Sequence, residues 1–139
     1  MNANNSTLRV LVVDDEQLIR AHVRNLLRQM GITDVVEADS GKSALDVLLD
    51  VDQVFPDLII SDLHMDGMDG IEFCNTVRRT EMLHNVGVPI IMVTAEDDPF
   101  ILNVSEQVGA LSIAKKPIDL EQLEQLVASY VNIPVAATS

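Results

Sequence analysis

The fold is decided by residues 8–15, which read Leu8-Arg9-Val10-Leu11-Val12-Val13-Asp14-Asp15. A short aliphatic run ends here in two carboxylates. The run predicts a strand of a parallel sheet, because strands that are covered on both faces are continuously apolar rather than alternating. Polar residues that directly follow such a strand are expected at the carboxyl edge of the sheet, where open α/β domains bind their ligands.

Short apolar runs alternate with amphipathic stretches five times along the chain. This pattern predicts an α/β domain in which helices cover both faces of a parallel sheet. The predicted strands are residues 8–13, 33–38, 58–61, 88–94 and 110–114. The predicted helices are residues 18–30 with Gly31 as the stop, a second one capped by Ser40, then 70–79, 98–108 and 119–131, the last capped by Asp119 with Gln122 as its capping-box partner.

The composition indicates one domain. A chain of 139 residues with 47% apolar residues can bury one core. We place the domain at residues 8–131, between a disordered N-terminus at 1–7 and a C-terminal tail or truncated linker at 132–139. A formal charge of −13 argues against nucleic-acid binding. Cys74 has no disulfide partner and the polar N-terminus is neither a signal peptide nor a membrane span, so a cytoplasmic location is expected.

Polar residues lie at the carboxyl ends of four of the predicted strands. Asp14-Asp15 follows the first strand, Asp62 the third, and Lys116-Pro117 the fifth, while Thr94 ends the fourth. Because the carboxyl ends of parallel strands share one edge, we expect these side chains to meet in a single pocket.

The predicted pocket would gather three carboxylates. Such a cluster requires either raised pKa values or a bound cation. Oxygen ligands without Cys or paired His favour Mg²⁺, which keeps several waters and binds phosphate oxygens. A transition-metal site at Asp62 and His64 is the less favoured alternative, since the chain has only three His.

The same residues suit phosphoryl transfer, which needs a placed nucleophile and cationic groups around the phosphoryl oxygens. Asp62 would be the nucleophile, and Asp14 with Asp15 would hold the metal. Lys116 would pair with a phosphoryl oxygen, and Thr94 would donate a hydroxyl hydrogen bond. Taken one at a time, these residues also fit solvated loops and ordinary strand positions.

In this order, the acidic pair, Asp62, Thr94 followed by Ala95, and Lys116-Pro117 resemble the motifs of the two-component response-regulator receiver domain, in its stand-alone chemotaxis-regulator type. The resemblance covers roughly residues 8–131. It implies a doubly wound, flavodoxin-like (βα)₅ fold with a five-stranded parallel sheet of order 2-1-3-4-5.

The resemblance also implies functional roles. Asp15, Asp62 and the backbone carbonyl of His64 would bind Mg²⁺ directly, with Asp14 acting mostly through water. The phosphoryl donor would be a histidine kinase or a histidine phosphotransfer protein, and the output would pass to a protein target or a missing output domain, without direct contact to nucleic acid or membrane. The domain would not be an enzyme beyond catalysing its own phosphorylation and slow dephosphorylation.

The sequence departs from this family at several positions. Asp66 stands where the family usually has Pro, and Ile113 where it has a switching Tyr or Phe. The last two predicted helices contain no Lys or Arg, so a dimer held by charge pairs there lacks its cations. The first helix carries a ridge of basic residues at Arg20, Arg24 and Arg28, which is either a solvated face or a docking surface for an acidic partner.

Two alternatives to a phosphorylation switch stay open at this point. The departures at Asp66 and Ile113 suggest a binding-only pseudo-receiver scaffold. A metal-dependent phosphatase would also use an aspartyl nucleophile, but such hydrolases usually have Asp two residues after it, where this chain has His64. His22 and Cys74 fall on or near apolar helix positions and are interpreted as packing residues.

Overall fold

Strands and helices alternate through residues 8–131, the part of the chain that the computed structural model describes. The segments 1–7 and 132–139, predicted as a disordered N-terminus and a tail or linker, lie outside the described residues. The strands are Arg9–Val13 (β1), Asp34–Ala38 (β2), Leu58–Ser61 (β3), Ile90–Thr94 (β4) and Ser112–Lys115 (β5). The helices are Gln17–Gln29 (α1), Gly41–Leu49 (α2), Gly70–Arg79 (α3), Pro99–Gln107 (α4) and Leu120–Tyr130 (α5).

The five strands form one parallel sheet of order β2-β1-β3-β4-β5, which confirms the predicted architecture. Helices cover both faces. Leu11 and Val13 of β1 join the core on the side of α2 and α3, whereas Val10 and Val12 join the core on the side of α1 and α5. Both faces of β1 are therefore buried, which is why its sequence is apolar without alternation.

Local signals explain where the helices begin. The side chain of Ser40 accepts a hydrogen bond from the backbone N–H of Ser43, and that of Asp119 accepts one from Gln122, so both predicted caps are confirmed. Both caps are capping boxes, because the third residue also bonds back to the cap's N–H. Gly31 adopts φ +86° after α1, as expected of a helix stop.

Two strands begin two residues later in the structure than the sequence predicts. The fourth strand begins at Ile90 and not at 88, because Pro89 has no N–H to donate to the ladder. The fifth begins at Ser112 and not at 110, since the N–H of Ala110 still bonds to the Ser105 carbonyl at the end of α4. This second shift carries β5 as far as Lys115.

The two residues interpreted as packing residues differ in the structure. Cys74 is fully buried in α3, as predicted. His22 is exposed on α1, so its predicted packing role was wrong. Its Nε2 lies 2.9 Å from the carbonyl oxygen of Ile118, where the ring ties α1 to the loop after β5. None of the helices in residues 8–131 has the length and apolarity needed to cross a membrane.

Candidate functional site

The predicted site residues meet at the carboxyl edge of the sheet, where all of them except Asp14 line a cleft of about 440 Å³. Its lining consists of Asp15, Glu16, Asp62, His64, Thr94, Ala95 and Lys116. A larger cavity, about 680 Å³, lies at the opposite edge between the loops that follow α2 and α3. That cavity contains none of the predicted site residues, so its size has no bearing on their chemistry.

Three carboxylates converge in the cleft. Asp14 and Asp62 are buried, and Asp15 is exposed at its mouth. One oxygen from each lies within 4.8 Å of the others. Asp14 is fixed through its backbone N–H, which donates to the Ala38 carbonyl, and through Oδ1, which accepts from the N–H of Glu16. The β1 and β3 ends thus bring these carboxylates together, as the sheet topology predicted.

Lys116 lies across the two buried carboxylates. Its Nζ is 3.0 Å from Asp14 Oδ2 and 3.1 Å from Asp62 Oδ2, and the side chain is only 14% exposed. Burial alone would lower the pKa of Lys116, but its hydrogen bonds and charge interactions with Asp14 and Asp62 raise it above the usual value. The residue that follows is Pro117, joined by a cis peptide bond. Its neighbour Lys115 is exposed and turns instead to the loop after β4.

Asp62 is held in an unfavourable environment for its charge. Burial, followed by the nearby charge of Asp14, raises the pKa of Asp62, and this outweighs the opposing effects of Lys116 and of the Leu63 N–H, which donates to Oδ1 at 2.7 Å. An additional cation nearby would stabilise the ionised form of a carboxylate in this position. Its surroundings therefore disfavour the ionised form of Asp62.

The hydroxyl of Thr94 is fully buried at the end of β4. Its Oγ1 accepts a hydrogen bond from the N–H of Glu96 at 3.0 Å, which leaves the hydroxyl proton available to an acceptor in the cleft. Glu96 in turn reaches His64, whose Nε2 is 2.6 Å from Oε1. Hydrogen bonds from the Asp98 N–H and from His64 lower the pKa of Glu96. The β3–α3 and β4–α4 loops are thus joined across the mouth of the cleft.

The arrangement of the carboxylates fits a magnesium ion. Mg²⁺ binds oxygen at about 2.0–2.1 Å in an octahedron, so its ligand oxygens lie about 2.9 Å apart when adjacent and about 4.2 Å apart when opposite. The carboxylate oxygens of Asp14, Asp15 and Asp62, all within 4.8 Å of one another, lie close enough together to surround a single ion of this size. No Cys or second His joins them within the described residues, which disfavours the transition-metal alternative.

Two residues at the cleft were not identified from the sequence. Glu16 lies 3.8 Å from Lys116 Nζ through its Oε1, and its position directly after the acidic pair was an available signal. Glu96 approaches His64 only because of the conformation of two loops, for which the sequence offers no signal.

Asp66 and Ile113 are two positions at which the sequence departs from the family pattern. Asp66 is exposed and donates its N–H to Asp15 Oδ2 at 3.3 Å, while Ile113 is half-buried in β5.

The sequence model of the response regulator receiver domain matches residues 10–128, which is most of the chain. The chain belongs to this family. The matched span of this receiver domain includes both members of the acidic pair, Asp62, Thr94 and Lys116. The family assignment and the sheet order together confirm the predicted flavodoxin-like fold.

Chemotaxis proteins are among the relatives of this receiver domain. It is 33% identical over 120 residues to chemotaxis protein CheY of Pseudomonas aeruginosa, covering 86% of this chain and 93% of that protein. It is also 33% identical over 121 residues to CheY-3 of Vibrio cholerae, covering 87% and 89% of the two chains. The receiver domain is thus CheY-like over nearly its whole length.

Solved structures agree with this assignment. The structure of Vibrio cholerae chemotaxis protein CheY4 crystallised at low pH matches with a TM-score of 0.76 and 32% identity, covering 89% of this chain and 98% of the other. A response regulator receiver protein from Pseudomonas putida matches with a TM-score of 0.78 and 30% identity, covering 88% and 96%.

Proposed function

We propose that this receiver domain is a phosphorylation switch in two-component signal transduction, which accepts a phosphoryl group on Asp62 with the help of Mg²⁺. The observation that carries the proposal is the contact of Lys116 with Asp62 in a cleft that also holds two further carboxylates and the Thr94 hydroxyl. An aspartate nucleophile, an adjacent cation and a cluster of hard oxygen ligands are the parts that phosphoryl transfer to a carboxylate requires.

In the proposed reaction, a carboxylate oxygen of Asp62 attacks the phosphorus of a phosphohistidine. The new O–P bond forms an acyl phosphate, and the P–N bond of the donor breaks, with the electron pair returning to the imidazole. Lys116, already 3.1 Å from Asp62, would exchange a carboxylate for a phosphoryl oxygen. The Thr94 hydroxyl would donate to a second phosphoryl oxygen. The acyl phosphate would later be lost by slow hydrolysis.

Asp14, Asp15, Asp62 and the backbone carbonyl of His64 would hold the Mg²⁺. The ion would neutralise charge on the carboxylates and on the transferring phosphoryl group. Asp14 is in contact with Lys116, which favours the water-mediated role expected for Asp14, whereas Asp15 faces the open mouth of the cleft.

The proposal extends to partners and location. The donor would be a histidine kinase or a histidine phosphotransfer protein, and the recipient of the signal would be a downstream protein. Beyond its own phosphorylation and dephosphorylation, the domain would have no enzymatic activity. The buried free thiol of Cys74 suits a reducing cytoplasm, which we propose as its location. Ile113 stands where the family resemblance implies an aromatic residue, so the signal would leave the cleft without a rotating ring.

Labelling with a small acyl phosphate or phosphoramidate tests the proposal. We expect one phosphoryl group per chain by intact mass, dependent on Mg²⁺ and removed by hydroxylamine. Asp62→Asn should abolish the label. Asp66→Asn is the matched control, since Asp66 is an exposed carboxylate on the same loop, and it should leave the label in place.

A hydroxylamine-labile label that persists in Asp62→Asn would refute the assignment of the acceptor. Partner binding that is equally strong with and without the label would instead favour the scaffold alternative. Repeated turnover of a phosphomonoester would point to a phosphatase.

A further inference from the structure

Two arginines of the basic ridge on α1 form ion pairs in the structure. Arg20 Nε lies 2.9 Å from Glu37 Oε1, and Arg24 Nη1 lies 2.5 Å from Glu37 Oε2, so two of the three arginines share one carboxylate at the end of β2. Burial acts to raise the pKa of Glu37, but the hydrogen bonds and charges of Arg20 and Arg24 hold this pKa below its usual value. Arg28 is exposed, whereas Arg20 and Arg24 are half-buried beside Glu37.

Arg20 makes a second contact that Arg24 lacks. Its Nη1 donates to the backbone carbonyl oxygen of Asp14 at 2.6 Å, and the side chain is only 15% exposed. The planar guanidinium fixes both contacts at once, since its N–H groups point in set directions. One half-buried side chain of α1 therefore joins the acidic loop to the end of β2.

This contact completes the fixation of the Asp14 backbone. The N–H of Asp14 donates to the Ala38 carbonyl, and its own carbonyl accepts from Arg20, so both neighbouring peptide units are held. Asp15 comes next in the chain and is exposed. Its carboxylate receives one long hydrogen bond, from the Asp66 N–H at 3.3 Å. The position of the Asp15 carboxylate consequently depends on the peptide unit that Arg20 holds.

We propose that Arg20 is a positioning residue for the metal-binding part of the cleft: by holding the Asp14 carbonyl, it aims the carboxylate of Asp15 at the position where Mg²⁺ binds. This inference rests on the proposed function. Arg20 itself touches neither the carboxylates of the cleft nor the reacting atoms. Partners that orient metal ligands in this way typically change metal affinity by about 10–100-fold when they are removed.

The charge of Arg20 has the opposite effect on Mg²⁺ affinity. A guanidinium beside the acidic loop repels a divalent cation, and removing it also leaves Glu37 less neutralised, so on electrostatics alone its loss would strengthen Mg²⁺ binding. Loss of positioning weakens binding instead. The sign of the change in affinity therefore separates the two roles.

The test is Mg²⁺ titration of the 139-residue chain, followed by the amide NMR signals of the acidic loop, in wild type and Arg20→Met. We expect the dissociation constant for Mg²⁺ to rise about tenfold or more in Arg20→Met. In acyl phosphate labelling, the Mg²⁺ concentration at half-maximal rate should rise similarly, whereas the rate at saturating Mg²⁺ should stay close to that of wild type.

Two further variants make the result specific. Arg24→Met removes a partner of Glu37 without touching the Asp14 carbonyl, and its Mg²⁺ affinity should remain within about twofold of wild type. Arg20→Lys is a more conservative substitution that keeps the positive charge. Because one ammonium cannot reproduce the two fixed contacts of the guanidinium, its Mg²⁺ affinity should lie between those of wild type and Arg20→Met.

The inference is overturned if Arg20→Met binds Mg²⁺ as tightly as wild type or more tightly, or if Arg24→Met is weakened equally. A wild-type chain that neither binds Mg²⁺ nor becomes labelled would overturn the proposed function itself. Weak binding confined to the Arg20 variants supports the positioning role.

Discussion

The ammonium of Lys116 lies 3.1 Å from the carboxylate of Asp62, and both side chains are removed from solvent. Removing one partner of a buried ion pair leaves the other charge uncompensated, which typically costs about 3–5 kcal/mol. In Lys116→Met, two buried carboxylates would face each other without their cation. We expect the free energy of unfolding to fall by about 2–4 kcal/mol in chemical denaturation without Mg²⁺, the lower part of the range reflecting proton uptake by a carboxylate.

Lys115→Met provides the matched control. The neighbouring lysine is 54% exposed and its nearest carboxylate is 3.8 Å away, so its loss should change stability by less than about 0.5 kcal/mol. Added Mg²⁺ should restore part of the stability of Lys116→Met, since it supplies a replacement cation. Equal effects of the two substitutions would mean that Lys116 does not hold the carboxylates together.

Asp62 itself should destabilise the fold near neutral pH. Its pKa is raised, chiefly by burial and then by Asp14, so the folded state binds the proton more tightly than the unfolded state does. Between the ordinary Asp pKa and the raised one, the folded state carries more protons, and stability falls as the pH rises through that window. Asp62→Asn should therefore be more stable than wild type at neutral pH, by on the order of 1 kcal/mol.

The pH dependence of this difference is the diagnostic measurement. On acidification below the ordinary Asp pKa, Asp62 becomes protonated in both states and the advantage of Asp62→Asn should disappear. Denaturant titrations over a pH series without Mg²⁺ would measure it. A variant that is less stable than wild type at neutral pH would show that the contact with Lys116 outweighs burial and the charge of Asp14.

Topology explains why so much of the site was readable from the sequence. Asp14, Asp62, Thr94 and Lys116 are far apart in the chain, but each follows or ends a strand, and parallel pairing places all strand ends at one edge. The helix cap at Asp119 was readable for a local reason, because a cap needs only a side chain and an N–H three residues away.

The remaining features depend on long side chains and on loop conformation. The contact of Arg20 with the Asp14 carbonyl and that of His64 with Glu96 join backbone or side-chain atoms whose positions the spacing of residues does not determine. The start of β5 was misplaced for a similar reason. Gly109 adopts φ +114°, and this turn keeps Ala110 bonded to α4 rather than to the sheet.

Gly70 allows the first turn of α3 to pass close to the acceptor loop. A Cβ at this position would lie 2.3 Å from the Asp62 carbonyl oxygen and 2.8 Å from Leu63 Cα, both backbone atoms that cannot move aside alone. Helix propensity favours Ala over Gly by about 1 kcal/mol. We expect the clash to prevail, so that Gly70→Ala loses about 1–3 kcal/mol of unfolding free energy and is labelled more slowly.

Gly87→Ala is the comparison for this prediction. Its added Cβ would meet only Asn85 Oδ1, at 3.4 Å, and its φ is not positive, so stability should be unchanged or slightly increased. Thermal unfolding of both variants beside wild type measures the difference. If Gly70→Ala were as stable as Gly87→Ala, the close approach of α3 to the acceptor loop would be refuted.

Arg78 binds the loops at the opposite edge of the sheet through backbone carbonyls alone. Its guanidinium donates to Val86 at 2.7 Å, to Val88 at 2.8 Å and to Gly109 at 2.7 and 3.2 Å, and within residues 8–131 it forms no ion pair. Burial lowers the pKa of Arg78. Since a hydrogen bond to a charged group contributes about 1.5–3 kcal/mol, and water can replace some of these donors, we expect Arg78→Met to lose about 2–4 kcal/mol.

Arg79→Met is the control, because Arg79 is the next residue of the same helix but is exposed, and its substitution should change stability by no more than about 0.5 kcal/mol. Hydrogen exchange adds a local measurement: in Arg78→Met the amides between α3 and β4 and those around Gly109 should exchange faster, while the cleft around Asp62 should keep its protection and its label. Arg78→Met with wild-type stability and unchanged exchange would mean that water replaces the guanidinium at all three carbonyls without loss.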